Sequence, residues 1–213
     1  MKVVICTVPP MHPSMVYPLV YPVDGNKALE YGKPVRSPVN AILAKTLKNG
    51  EELRVIYIMA AGENSYCEEN KKIFTKELEN INSEIGAVIS YDTVEMEFKP
   101  VKHTYNKLIT DLTDKIPDNA ELYTDITYGF KPEILSLFCA LRFVEEFHNA
   151  DVEYFIWGQL ETKYDPSGKK PPEKVNPMIF DITSLYYLFK LIGSIGNAEP
   201  EKASNILKDF FDI

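Results

Sequence analysis

Short apolar runs alternate along this chain with longer stretches of helical periodicity. Residues 2–8 are almost wholly apolar, as in a strand buried on both faces of a parallel sheet. Ser37 and Pro38 supply an N-cap and a first helical position, predicting a helix to about Lys48 that Gly50 closes. Residues 54–60 read as the next strand, and 68–82 as a helix with Ile73, Leu78 and Ile81 in a partial apolar stripe. Residues 88–98 alternate as a strand, and Leu108, Leu112 and Ile116 mark an amphipathic helix over 104–116. Leu122, Thr124, Ile126 and Tyr128 alternate as in a strand, Gly129 breaks the pattern, and 130–147 reads as a helix. A strand at 152–157 follows. The helix over 181–195 has Leu185, Leu188 and Ile192 spaced for burial, Gly196-Asn197 ends it, and 199–211 forms a short terminal helix.

Two stretches are less regular. Residues 9–36 are rich in proline and tyrosine, and Val23-Asp24-Gly25-Asn26 is a turn signal, so 16–23 and 27–35 are expected to pair as a short hairpin over one edge of the sheet. Residues 161–177, with Lys163, Lys169, Lys170, Lys174 and several prolines, read as an exposed loop or an irregular hairpin. Strands alternating with helices imply βαβ units. The expected fold is α/β: a Rossmann-like three-layer sandwich with a mostly parallel central sheet, a short N-terminal hairpin insertion and a C-terminal helix. The main domain spans 1–195, and 196–213 is a helical appendage.

Composition narrows the function. A formal charge of −8 argues against a surface that coats bulk DNA or RNA, though it allows a small anion in one local site. The three cysteines, Cys6, Cys67 and Cys139, lie far apart without metal spacing and read as buried free thiols in a reducing cytoplasm. The N-terminus enters a strand directly, without a signal-peptide pattern, and no apolar run approaches the roughly 20 residues of a membrane span. The phosphate-binding Gly-x-x-x-x-Gly-Lys-Ser/Thr loop, the Gly-x-Gly-x-x-Gly fingerprint, the Gly-x-Ser-x-Gly elbow and any His/Cys metal cluster are all missing, so neither metal nor cofactor is expected.

Candidate chemistry gathers at strand ends. Residues 121–133 form a strand, a small polar turn and a helix start, which presents backbone N–H groups to a phosphate or another polar ligand. An ordinary β–α turn has the same pattern. Ligands of an open parallel sheet bind beyond the carboxyl ends of its strands. That edge collects Thr7 to Ser14, Ala60 to Ser65, Thr127 to Lys131 and Gly158 to Glu161. Lys131 sits in the first helical turn, where an ammonium opposes the helix dipole unless it serves an anion or is simply solvated. His12 lies between prolines, as a proton-transfer group or a surface residue, and prolines 9, 10 and 13 remove backbone donors from that loop.

Asp125-Ile-Thr-Tyr-Gly129, followed by Phe130-Lys131-Pro132, resembles the Asp-x-Thr-His-Gly motif of one branch of the CRISPR-associated Rossmann-fold (CARF) family. Residues 37–59 are similar to that family's first helix and second strand, and 180–188 to its late Asp-Leu-Thr segment. The matches cover most of 1–195. Tyr128 stands where the branch has histidine, and the first loop lacks the usual Gly-Thr-Gly-like turn. The resemblance implies a cytoplasmic homodimer that binds a cyclic oligoadenylate, of four or six adenylates, across its two-fold axis in type III CRISPR antiviral defence. The ligand-binding residues it implies, together with those at the strand ends, are Thr7, His12, Ser14, Ala61, Gly62, Asp125, Thr127, Tyr128, Gly129, Phe130 and Lys131. Two roles stay open: a pure sensor, or a metal-independent ring nuclease with Ser14 and Lys131 as its catalytic residues.

Overall fold

The computed structural model describes residues 1–62, 65–97, 101–163 and 173–211. Strand β1 (Lys2–Val8) lies centrally, parallel to β2 (Glu52–Ala61) on one side and to β4 (Glu121–Asp125) on the other. Beyond them run β3 (Val88–Glu97) and β5 (Asp151–Lys163), also parallel, and β6 (Glu173–Asp181) closes the β5 edge antiparallel. The order is β3-β2-β1-β4-β5-β6. With helices on both faces, this is a Rossmann-like three-layer sandwich.

The period of two along β1 divides the interior. Val4, Cys6 and Val8 face one core with α1 (Pro38–Thr46) and α2 (Cys67–Ile85), whose Ile42, Leu43, Phe74 and Leu78 are buried. Val3 and Ile5 face the other core, which α3 (Lys102–Lys115) and α4 (Lys131–Phe147) cover with Leu108, Leu112, Leu137 and Leu141. Helix α5 (Thr183–Ser194) adds Tyr186 to this second core, while α6 (Pro200–Phe210) adds no residue to either. Among the described residues, no helix is long and apolar enough to cross a membrane.

Three expectations change. The hairpin over 16–35 does not form: prolines 18, 22 and 34 cannot donate to a ladder, and only Leu19 and Val35 exchange backbone hydrogen bonds, at 2.9 Å each. The segment instead makes two single-turn helices, Pro13–Met15 and Lys27–Leu29, and buries Val16, Tyr21, Val23, Leu29 and Val35. Val23 also bridges Ile179, which covers part of the β6 edge.

Of the two readings for 161–177, the irregular hairpin holds: β5 and β6 pair antiparallel with a register shift between Gln159 and Glu161, and Lys169 and Lys170 lie outside the described residues. Cys139 is exposed, unlike Cys6 and Cys67, because it stands on the outer face of α4 with Leu135 and Phe143. Finally, the stripe on α5 expected to be buried is largely uncovered: Leu185 is 52% and Ile192 53% exposed, and Tyr186 is the residue that faces inward.

Candidate functional site

The chain leaves β1 for α1 on one face and leaves β4 for α4 on the other, so the adjacent ends of β1 and β4 form the switch point of the sheet. Thr7 and Gly129 meet there. A Cβ at Gly129 would stand 3.1 Å from Thr7 Cγ2 and 3.2 Å from Ile134 Cγ1, so glycine permits this close approach without the few tenths of an ångström of yielding that a larger residue would ask of its neighbours. Thr7 is 3% exposed, and its buried hydroxyl has no hydrogen-bond partner among the described residues. An unmatched buried hydroxyl costs about 1–3 kcal/mol.

Asp125 ends β4 because its carboxylate turns the chain. It accepts the Thr127 N–H at 2.9 Å and the Thr127 hydroxyl, an Asx turn that stops the ladder three residues before the Tyr128 of the sequence pattern. Its other oxygen accepts the Val39 N–H at 3.1 Å, satisfying an orphan donor at the start of α1. The Thr127 hydroxyl in turn accepts the Gly158 N–H at 2.8 Å, which ties the turn to β5. Burial pushes the Asp125 carboxyl above its ordinary pKa, opposed by these hydrogen bonds. Asp125 and Thr127 are thus engaged inside the protein. Tyr128 is too: its hydroxyl donates to the Arg36 carbonyl at 3.0 Å and its ring leans on Phe74.

The loop after β1 brings His12 and Ser14 together. Ser14 Oγ lies 2.8 Å from His12 Nδ1, and the Ser14 N–H donates to the same nitrogen at 3.2 Å. An Nδ1 that accepts both hydrogen bonds places the imidazole proton on Nε2. The His12 ring meets Tyr66 edge-on at 4.8 Å, joining this loop to the one after β2. Buried Asn70 fixes the backbone beneath, donating to the Pro9 and Met11 carbonyls at 2.8 Å each, while Tyr66 N–H donates to Pro10. The proline loop therefore acts as an acceptor surface. Ala61 ends β2, and Gly62 is exposed beside it, accepting the Ser65 N–H at 3.1 Å.

Glu133 is the residue that sequence reasoning passed over. It occupies the third position of α4, 3% exposed, and accepts the N-cap N–H of Phe130 at 3.3 Å. Burial raises its pKa to about 7, with the Phe130 hydrogen bond opposing. It is close enough to add to the upward shift of Cys67, which burial dominates. Near neutral pH this carboxyl is partly protonated, and its ionised form repels any anion at the head of α4. The only local signal was a glutamate three residues after the helix boundary; its burial depends on the packing of α4 over the sheet.

Lys131 is exposed in the first turn of α4 and makes no hydrogen bond or ion pair among the described residues. Two surface depressions lie elsewhere. One of about 600 Å³ separates α2 from the segment around Tyr31 and Arg36, and one of about 480 Å³ lies between α2 and the β2–β3 edge. Neither is lined by a switch-point residue, so the candidate site is a rim of loop ends apart from both. The first of them has nearly balanced charges, with Lys33, Arg36 and Lys76 facing Glu77 and Glu84, whereas the second is basic, with Lys71, Lys72 and Lys76 against Glu79; the strand-end rim is preferred for its place at the switch point. Among the described residues, no three His, Cys, Asp or Glu side chains converge as a metal site. No protein-family model matches the chain, and no curated protein matches it.

Proposed function

We propose that this chain is a cytoplasmic cyclic oligoadenylate sensor of type III CRISPR antiviral defence, which holds its ligand at the switch-point rim of a homodimer. The observation that carries this reading is the buried, unpartnered Thr7 hydroxyl against Gly129 at the head of α4. A hydroxyl without a partner beside helix-start N–H groups suits a polar, phosphate-bearing ligand. A rim of loop ends fits a site that two protomers share, since a ring of identical phosphates is itself close to two-fold symmetric. Lys131, solvated and unpaired at the same helix end, would meet a phosphate oxygen.

Calorimetric titration with cyclic tetra- and hexaadenylate tests it. One ring binds per dimer, and Lys131→Ala weakens binding by about 1–3 kcal/mol, the worth of a charge-assisted hydrogen bond. If neither ring binds, the reading falls; equal affinity in Lys131→Ala returns that lysine to the solvated surface.

The His12–Ser14 pair supports a second reading, a ring nuclease. In that reaction a ribose 2′-oxygen bonds to the neighbouring phosphorus and the bond to the 5′-oxygen breaks. The 2′ proton leaves to a base and the 5′-oxygen gains one, giving linear products with 2′,3′-cyclic phosphate ends. The protein contributes positioning and charge stabilisation. Chromatography after hours with excess EDTA decides: an intact ring keeps the sensor reading, whereas cutting that vanishes in Ser14→Ala establishes the nuclease.

A further inference from the structure

Helix α5 is apolar on both of its faces. Between Thr183 and Ser194 its one charged residue is Lys190. The inner face seats Tyr186, stacked 5.7 Å from Phe155. The outer face carries Leu185, Phe189 and Ile192, 52%, 62% and 53% exposed, although Phe189 touches Phe138 at one edge. A helix that is hydrophobic all round normally has neighbours all round. Among the described residues, the outer face of this one meets only the edge contact with Phe138.

The next helix has the complementary defect. α6 places Glu201, Lys202, Asn205, Lys208 and Asp209 on one side and Ile206, Leu207 and Phe210 on the other, yet none of its residues is buried. The α5 stripe from Leu185 to Ile192 and the α6 stripe from Ala203 to Phe210 have the same extent, about 10 Å of helix. We propose that α6 of one copy of this chain lies along the outer face of α5 in a second copy, each copy giving one helix and receiving one.

The exchange is isologous, so it closes as a two-fold dimer and covers both of these stripes. Leu185, Phe189 and Ile192 are more than half exposed, Leu207 and Phe210 are 40% and 36% exposed and Ile206 less; at roughly 80 Å² each the six give about 500 Å² per protomer, about 1,000 Å² in all, the least that a specific interface needs. The proposed sensor also needs a dimer, so a monomeric wild type fails both readings, whereas a dimer that binds no ring fails the ligand reading alone and a dimer that survives the glutamate substitutions fails this interface alone.

Phe189 and Leu207 stand mid-stripe and meet whichever way the helices run. The test uses the full chain. Light scattering at micromolar concentration is expected to give twice the 24.3 kDa chain mass. Leu207→Glu and Ile192→Glu are each expected to be monomeric with unchanged circular dichroism. In a Cys139→Ser background, mixing Phe189→Cys chains with Leu207→Cys chains is expected to give a disulfide-linked dimer on mild oxidation. The proposal is overturned by a monomeric wild type, by a dimer that survives both glutamate substitutions, or by a mixture that fails to cross-link. An intrachain 189–207 disulfide in the double variant at high dilution would equally overturn it, because α6 would then fold back on its own α5.

Discussion

The tripeptide Asp-Ile-Thr occurs twice, at 125–127 and 181–183, and folds the same way both times. In each, the threonine N–H donates to the aspartate Oδ1, at 2.9 Å and 3.0 Å, and the threonine hydroxyl donates to the same oxygen. Each hydroxyl then accepts an N–H of β5, from Gly158 in one turn and Phe155 in the other, both at 2.8 Å. The surroundings differ. Asp125 is 2% exposed and also accepts the Val39 N–H of α1, whereas Asp181 is exposed. Identical local chemistry thus serves as a buried junction of three elements in one place and as a surface turn before α5 in the other. The buried copy ends the strand at the switch point, so the half of the motif that resembles a ligand-binding signature also holds the scaffold together.

The comparison predicts unequal costs. Asp125→Ala strands the Val39 and Thr127 N–H groups in the interior and is expected to cost about 3 kcal/mol in urea unfolding. A loss no larger than that of the surface turn would mean that burial does not distinguish the two.

Charge sharpens the contrast at the neighbouring buried carboxyl. The folded pKa of Glu133, about 7, lies above its ordinary 4.5, so its favourable contribution is complete below about pH 4.5 and is lost as pH rises through 7. Glu133→Gln keeps an acceptor for Phe130 without the titration. Its stability relative to wild type should therefore rise by about 2–3 kcal/mol between pH 4.5 and 8. Thermal unfolding of both proteins across that range checks it, and parallel curves would place the carboxyl in water.

Gly158 probes the link from the buried turn to β5. A Cβ there would stand 2.6 Å from Pro38 Cγ and 2.8 Å from Thr127 Oγ1, so Gly158→Ala is expected to cost about 1–3 kcal/mol. It should also perturb the amide signals of residues 125–129; a neutral substitution would show that α1 and β5 part easily. The smallest effect belongs to the exposed copy: Asp181→Ala is expected to cost at most about 1 kcal/mol, the net worth of solvated hydrogen bonds. A larger loss would give α5 more dependence on its N-terminal turn than the structure assigns it.

Much of the frame could be read from the chain. Leu108, Leu112 and Ile116 are buried as their spacing implied, the first strand is buried at every position, and Gly129 marks the break before α4. The site was legible only in part. The small turn after β4 announced a switch-point loop, but not that Asp125 would reach Val39, 86 positions away. Nor did it announce that Asn70 would hold the proline loop from a different helix. Tyr128 alternated correctly for a strand and still turned into the core, because the Asx turn rotates the backbone before it.

The sequence by itself determined the element types, the mostly parallel sheet and the glycine at the critical turn. These follow from periodic burial and backbone sterics, which act over a few residues. Tertiary structure alone decided which side chains of residues 9–36 are buried, that Glu133 is buried and that the α5 stripe is largely uncovered among the described residues. Those outcomes depend on which neighbours arrive across the fold, and a local pattern of apolar positions states that a residue is suited to burial without naming what will bury it.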